Sequence, residues 1–250
     1  MIEFTLSLHI RKEFIMNYTK SKNYEHLFTG EYLMGPNSVK LMEELTAEMN
    51  LKAGMRVLDL GCGTGITSLF AAKEYGVQVY AFDLWITAGD NFKRIKKWGM
   101  EDKIIPVHGD ANCLPFAEEY FDAVITADSY FYYGNKPEFF KEKIAPFIRK
   151  GGQFGMIVPG FRREPNDKIH ELFDSVLADE FDAWHSLEWW EKLFTDDGLN
   201  LLKAWESSGF DEIWSDWLKT DNPYAVSDKG VFTTEHFDEM NFVGVVGNVK

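Results

Sequence analysis

The run Asp59-Leu60-Gly61-Cys62-Gly63-Thr64-Gly65 combines three closely spaced glycines with a leading acidic residue. Glycine accepts positive φ angles and lets a ligand approach the backbone, because no Cβ stands in the way. The run follows an apolar stretch and precedes a helical pattern, so free backbone N–H groups would lie beside it. Asp83 stands 22 positions after Gly61, at the end of the next apolar stretch. A carboxylate there can accept from both hydroxyls of a ribose, so the spacing indicates a nucleotide-type cofactor.

Two cofactor classes use this arrangement, and position 66 separates them. Dinucleotide-binding dehydrogenases carry G-x-G-x-x-G, whose third glycine would fall at Ile66. The pattern D-x-G-x-G-x-G instead resembles motif I of the class I S-adenosylmethionine-dependent methyltransferases. That resemblance implies an α/β, Rossmann-like, doubly wound fold with a seven-stranded, mostly parallel sheet and an antiparallel last strand. It also implies S-adenosyl-L-methionine as the cofactor.

The resemblance covers residues 51–160 and assigns roles to individual positions. The turn 109–111 resembles the family's adenine-binding turn, residues 121–125 its fourth strand, and 150–152 the turn before its fifth. By resemblance, the glycine run passes under the methionine part of the cofactor and the acidic positions bind its ammonium, ribose and adenine groups. The residues that the resemblance assigns to the cofactor are Asp59, Gly61, Cys62, Gly63, Gly65, Asp83, Leu84, Asp110, Ala111 and Asp128.

Two further segments bear on the subfamily. Residues 31–38 and 185–190 are similar to a bacterial small-molecule group often labelled cyclopropane-fatty-acid-synthase-like. A lipid-modifying enzyme usually needs a basic face for the membrane, which a net charge of −14 argues against. Residues 221–224 differ from the Asn-Pro-Pro-Tyr motif of amino-methylating enzymes and lie far beyond the fourth strand. We therefore interpret them as a turn, and residues 128–133, at the motif's own position, argue against a nucleic-acid or protein-amide methylase.

The acceptor chemistry leaves few candidates. In-line displacement from a sulfonium releases a neutral thioether, so alignment can supply much of the acceleration, about 7–11 kcal/mol. A general base is needed only if the acceptor must lose a proton. Tyr130 follows the fourth strand together with two further tyrosines, and His185 stands beside tryptophans in the variable segment. We take these two as catalytic candidates, although packing against the tryptophans without a chemical role is the simpler interpretation of His185.

Composition limits the partners. The 250 residues carry a net charge of −14, which disfavours binding to nucleic acids or anionic membranes. The two cysteines, Cys62 and Cys113, form no C-x-x-C, and no Cys/His cluster has metal-ligand spacing, so no metal site is predicted. No apolar run approaches the ~18 residues of a membrane span. We expect a small-molecule methyl acceptor and a cytoplasmic location. The oligomeric state and the start, Met1 or Met16, stay open.

Strand and helix patterns alternate through most of the chain. We predict strands at 57–60, 77–82, 104–107, 123–127, 154–158, 199–206 and 242–249, and helices at 38–50, 66–75, 91–98, 137–148 and 188–194. This alternation is typical of a mostly parallel sheet covered on both faces. Between the last two strands no helical pattern stands out, which predicts an antiparallel pair joined by a long excursion.

One domain over residues 1–250 accommodates all of these elements. We divide it into a helical N-terminal extension (1–50), a cofactor-binding core (51–160), a cap insertion (161–198) and closing strands (199–250). The function expected is methyl transfer to a small-molecule acceptor. A catalytically silent S-adenosylmethionine-binding regulator and a lipid-modifying enzyme remain alternatives, because the glycine run serves all three.

Overall fold

Seven strands form one mixed sheet in the computed structural model, which describes residues 16–174 and 176–250. The strands are β1 (Arg56–Leu60), β2 (Gln78–Asp83), β3 (Ile104–His108), β4 (Phe121–Ala127), β5 (Ile148–Phe161), β6 (Asn200–Glu206) and β7 (Met240–Asn248). Their order across the sheet is β3-β2-β1-β4-β5-β7-β6. The first five run parallel, whereas β7 pairs antiparallel with both β5 and β6. The predicted fold class is confirmed.

The helices pack against this sheet because its central strands are mostly apolar and need cover on both faces. Strands β1 and β4 are buried almost throughout, as expected for parallel strands covered on both faces. The helices are α1 (Ser38–Ala47), α2 (Ile66–Tyr75), α3 (Ala88–Lys97), α4 (Asp167–Phe173), α5 (Leu187–Asp196), α6 (Phe210–Leu218), α7 (Pro223–Val231) and α8 (Thr234–Glu239). Helix α1 packs on α2, β4 and β5, and α5 packs on β6 and β7.

The topology places a crevice between β1 and β4. From β1 the chain proceeds to β2 and β3 on one side, and the later strands β4 and β5 lie on the other side. Loops leaving the carboxyl ends of these two strands therefore diverge, and ligands of open α/β sheets bind at such a point. The glycine run follows β1, and residues 128–133 follow β4.

The prediction of a helix at 137–148 is wrong, because no α-helix spans these residues. The structure has a single π-helical turn over Phe140–Ile144 and a 3₁₀ turn over Ala145–Phe147, and β5 already begins at Ile148. Pro146 explains the interruption, because proline has no backbone N–H to donate and its ring clashes with the carbonyl four residues earlier.

The excursion before β7 is also more regular than the sequence pattern indicated. It contains α6, α7 and α8. In α6 the residues Phe210, Ile213, Trp214 and Trp217 are buried at helical spacing, which the sequence reading overlooked. The segment interpreted as a turn is the start of α7, where Asn222 Oδ1 accepts from the Tyr224 N–H at 3.0 Å and proline occupies the first helical position.

The proposed cap and its flanks contain α4, a 3₁₀ turn at Ala178–Ala183 and α5. Ser186 caps α5 as predicted, its Oγ accepting from the Trp189 N–H. No helix of the described residues is long and apolar enough to cross a membrane. Within the same described ranges, no group of His, Cys, Asp and Glu is arranged to hold a metal ion.

Candidate cofactor and acceptor site

A cavity of about 420 Å³ opens at the carboxyl ends of β1, β2 and β4. Its walls come from the glycine run, from the residues that follow β2, from the turn 109–112 and from residues 127–133. Segment 32–38, which precedes α1, supplies a further wall. The cavity thus lies at the switch point of the sheet, where the sequence predicts the cofactor.

The glycine run turns sharply beneath this cavity. Gly61 and Gly63 adopt left-handed φ angles of 76° and 53°. A Cβ on Gly61 would lie 2.1 Å from Ser129 Oγ, so a side chain there would collide with the loop after β4. Cys62 lines the cavity as well, whereas Gly65 does not and instead caps α2. The two leading glycines therefore provide the close backbone approach that a bound cofactor requires.

Asp83 lies in the cavity wall and is only 6% exposed. Its Oδ2 accepts from the Gly63 N–H, and its Oδ1 accepts from the N–H groups of Trp85 and Ile86, each at 2.8 Å. The carboxylate therefore has two roles in this geometry. It holds the glycine run and the turn after β2 in register, and one lone pair of Oδ2 is left for a ligand in the cavity.

Asp59 stands behind the wall and does not line the cavity. Its Oδ2 accepts from Thr67 Oγ1 at 2.7 Å and from Ser68 Oγ at 2.6 Å, while its buried Oδ1 has no partner. Burial raises the pKa of Asp59 to about 6, although the two hydroxyl hydrogen bonds act in the opposite direction. Asp59 thus anchors the first turn of α2, and its predicted contact with the cofactor ammonium stays a prediction.

The predicted adenine end is the open end of the cavity. Leu84 and Trp85 line it and are 53% and 62% exposed. Opposite them, Ala111 is buried, and Asp110 Oδ1 accepts from the backbone and side-chain nitrogens of Asn112. These hydrogen bonds lower the pKa of Asp110. Apolar surface on both sides with a carboxylate at the rim suits a planar base, whose role here remains a prediction.

Comparison with known proteins identifies a family that matches the cofactor-binding core. A family model described as "Methyltransferase domain" matches residues 57–152, which contain the glycine run, Asp83 and Asp110. Residues 57–152 thus match the methyltransferase family, which agrees with the resemblance of the glycine run to motif I of the class I S-adenosylmethionine-dependent enzymes. The cofactor of this family is S-adenosylmethionine, and the Cβ-free approach at Gly61 and Gly63 together with the buried Asp83 suits it. The finer resemblance to the cyclopropane-synthase-like group is not confirmed by the comparisons.

Proteins similar to this chain include enzymes named for phosphorylated substrates. Phosphoethanolamine N-methyltransferase 1 of Arabidopsis thaliana is 23% identical over 91% of the chain, which spans 44% of that protein. A geranyl diphosphate methyltransferase solved with S-adenosylmethionine superposes with a TM-score of 0.68 at 16% identity, covering 84% of both chains. A Haemonchus contortus phosphoethanolamine N-methyltransferase 2 superposes with a TM-score of 0.66 at 17% identity, covering 92% of this chain and 58% of that one. The solved structures share the fold.

A further wall of the cavity begins at Asp128, directly after β4. Asp128 has a left-handed φ of 56°, and its N–H donates to the Ile157 carbonyl at 2.9 Å. Its half-buried side chain lines the cavity so close to Gly35 that a Cβ there would lie 2.5 Å from Oδ2. Burial raises the pKa of Asp128 well above its usual range, and the carboxylates of Glu180 and Asp228 raise it further. The cofactor contact predicted for Asp128 stays a prediction.

Tyr130 is not at the cavity, although its two neighbours in sequence are. Its side chain is fully buried, its ring packs among those of Phe154, Trp190 and Phe194, and its hydroxyl has no hydrogen-bond partner. Tyr132 and Tyr133 line the cavity instead. The structure therefore gives the predicted catalytic Tyr130 a core position without a route to the reacting atoms.

His185 also lies outside the cavity lining. Its ring stacks on Trp189 at a centroid distance of 3.6 Å, and its Nδ1 pairs with Glu164 Oε1 at 2.8 Å. Burial raises the pKa of Glu164, but hydrogen bonds from His185 and Ser186 outweigh it and leave that pKa below its usual value. This arrangement fixes the junction between the end of β5 and α5. The packing alternative for His185 agrees with these contacts.

Segment 32–38 is part of the site that sequence reasoning missed. Tyr32 and Met34 line the cavity, and the Tyr32 carbonyl accepts from Thr64 Oγ1 at 2.6 Å. From the other side, Asn222 Nδ2 donates to the carbonyls of Gly30 and Leu33. Nothing in the sequence pairs these positions, although Gly35-Pro36 marks a turn ahead of α1. The segment thus covers the glycine run from outside the region that matches the family.

Proposed function

We propose that this chain transfers the methyl group of S-adenosylmethionine to a small-molecule acceptor by in-line displacement. The observation that carries the proposal is that the cofactor-side residues and an aromatic, partly enclosed acceptor side share one cavity. Gly61 and Asp83 stand at one wall, and Tyr132 and Asp128 stand at another. A protein that only sensed the cofactor would need no further tyrosines and carboxylate in the cavity beyond the residues that hold the cofactor.

Positioning accounts for the chemistry expected of these residues. Bound S-adenosylmethionine supplies a methyl group on a sulfonium whose leaving group is a neutral thioether. The glycine run sets the depth of the cofactor, Asp83 orients it through the ribose, and Tyr132 and Tyr133 exclude water beside the acceptor. Alignment of this kind is worth up to about 7–11 kcal/mol, so no histidine base is required for an acceptor with a free lone pair.

The test is a product search. The purified chain is incubated with trideuteromethyl-labelled S-adenosylmethionine and a fractionated metabolite extract, and mass spectrometry follows S-adenosylhomocysteine and labelled small molecules. We expect both to accumulate together. Cofactor binding without either product in any fraction would favour the silent regulator, and label found only in lipid fractions would favour the lipid-modifying alternative.

A pair of glycine variants controls for the cavity. Gly61→Ala places a methyl group against Ser129 at a left-handed φ, so we expect loss of cofactor binding and of turnover. Gly230→Ala is the matched control, because a Cβ on Gly230 meets nothing within 4 Å. If both variants turn over like the original chain, the cavity is not the active site.

A further inference from the structure

The cavity is lined by acidic side chains and by no basic one. Asp83, Asp110 and Asp128 belong to its wall, and no Lys, Arg or His of the described residues does. Asp83 and Asp110 accept hydrogen bonds from neighbouring N–H groups. Asp128 differs, because its side chain has no hydrogen-bond or salt-bridge partner in the described part of the chain. One carboxylate in the acceptor wall is therefore left for a ligand.

Two further carboxylates stand behind Asp128. Glu180 Oε1 accepts from Tyr132 OH at 3.3 Å, and Asp228 Oδ2 accepts from Trp217 Nε1 at 2.7 Å. Neither forms a salt bridge within residues 16–174 and 176–250, although each interacts electrostatically with Asp128. The pKa values of Glu180 and Asp228 are both raised, chiefly by burial. Three neighbouring acidic groups without a counter-cation oppose one another's ionisation, and a cation bound beside them would relieve that repulsion.

Aromatic faces stand beside the same carboxylates. Trp85 and Tyr132 both line the cavity, and their ring centroids lie 5.2 Å apart with an interplanar angle of 66°. Tyr132 is 45% exposed and Trp85 is 62% exposed, so both rings present surface to an incoming molecule. Aromatic faces attract organic cations, most strongly where water is excluded. The rings and the carboxylates therefore favour the same charge.

We propose that the acceptor is a cationic amine with at least one N–H and no phosphate group, whose ammonium binds at Asp128 against Tyr132, with Glu180 and Asp228 adding to the attraction. Asp128 takes one proton from this ammonium, and the freed nitrogen lone pair forms the new N–C bond as the C–S bond of the sulfonium breaks and the neutral thioether leaves. This inference rests on the proposed function, since it names the acceptor class of the same cavity. A phosphorylated acceptor would bring two negative charges to a wall that has no Lys or Arg to receive them. The net charge of −14 also raises the local concentration of cations around the protein.

The cofactor does not meet this need by itself. The amino-acid end of S-adenosylmethionine carries an ammonium and a carboxylate, whose charges cancel. Its sulfonium is therefore the one net positive charge of the cofactor that could pair with these acidic groups instead of an acceptor. Since S-adenosylhomocysteine lacks the sulfonium, a comparison of the two cofactor forms separates attraction of the cofactor from attraction of the acceptor.

The experiment is calorimetry on the chain saturated with S-adenosylhomocysteine. The probes are choline, its uncharged carbon isostere dimethylbutanol, and phosphocholine. We expect choline to bind about tenfold or more tightly than the isostere, and phosphocholine to bind most weakly, given one ion–ion attraction in a partly buried site. Equal affinity for choline and the isostere, or tighter binding of phosphocholine, would overturn the inference.

Charge-neutralising variants locate the effect. Glu180→Gln and Asp228→Asn, which do not line the cavity, should each weaken choline about five- to tenfold, and Asp128→Asn should weaken it more, with dimethylbutanol unaffected. Glu101→Gln, an exposed carboxylate in the turn after α3, is the matched control and should change nothing. The melting temperature of each variant reports that it is folded. A loss of S-adenosylmethionine affinity with choline binding intact would assign the carboxylates to the sulfonium and refute the proposal.

The outcomes also separate this inference from the proposed function. Turnover of a neutral or phosphorylated acceptor in the product search would leave methyl transfer standing and remove the cationic-amine class. Selective choline binding without turnover of any metabolite would support the binding site and count against the catalytic proposal.

Discussion

The carboxylate of Asp83 accepts a 2.8 Å hydrogen bond from the backbone N–H of Gly63, which ties the end of β2 to the middle of the glycine run. A residue expected to bind cofactor is thus also part of the scaffold that shapes the cofactor loop. The same carboxylate receives the N–H groups of Trp85 and Ile86 through its other oxygen. Substitutions at position 83 therefore change binding and stability together.

Asp83→Ala is expected to lower affinity for S-adenosylmethionine about tenfold or more and to destabilise the fold by about 2 kcal/mol or more, because three backbone donors lose their acceptor. Asp83→Asn should be milder in stability, since an amide oxygen can still accept from Trp85 and Ile86. Calorimetry and thermal unfolding measure the two effects. An unchanged melting temperature in the alanine variant would show that the three hydrogen bonds contribute nothing to folding.

Asp59 predicts a pH dependence of stability. Its folded pKa of about 6 lies above the usual value, so the folded state binds the proton more tightly than the unfolded chain. Stability from this group is present below about pH 4 and falls as the pH rises toward 6, by up to about 3 kcal/mol. Asp59→Asn removes the titration. The free energy of unfolding of the original chain, relative to this variant, should therefore decline between pH 4 and 7, and a constant difference would contradict the shift.

Tyr130→Phe and Tyr132→Phe distinguish two neighbouring tyrosines. The buried Tyr130 hydroxyl has no partner, so its removal should leave turnover unchanged and stability equal or slightly higher, by about 1 kcal/mol at most. Tyr132→Phe deletes the hydrogen bond to Glu180 at the cavity and should alter the Michaelis constant for the acceptor. Loss of turnover in Tyr130→Phe would restore the catalytic role predicted from the sequence.

His185→Ala should act on stability more than on catalysis. The variant loses the stack on Trp189 and the hydrogen bond to Glu164, which together are worth about 1–3 kcal/mol. Cofactor affinity and turnover should stay within about threefold, under about 1 kcal/mol. A fall in turnover by a factor of about 100 with normal stability would instead identify His185 as a general base.

Local spacing made the cofactor side predictable. The glycine run and Asp83 occupy consecutive loops on adjacent parallel strands, so their separation along the chain already implies their proximity. The rest of the cavity does not have this property, because Tyr32 and Met34 reach it from a segment that is distant in sequence. Likewise, the tyrosines at 130 and 132 share one 3₁₀ turn, and only the tertiary fold decides that Tyr130 enters the core while Tyr132 lines the cavity.

The hydrogen bonds of segment 30–35 to Thr64 and to Asn222 limit how far the chain can be truncated without opening the cavity. The match to the methyltransferase family covers residues 57–152. Segment 30–35, which forms one wall of the cavity, lies before this region, and Asn222 at the start of α7 holds it in place from beyond the region. A fragment limited to the matched region would contain the loop that touches the cofactor but would leave it open to water on one side. The part of the chain needed to enclose this cavity therefore extends at least from Gly30 to Asn222.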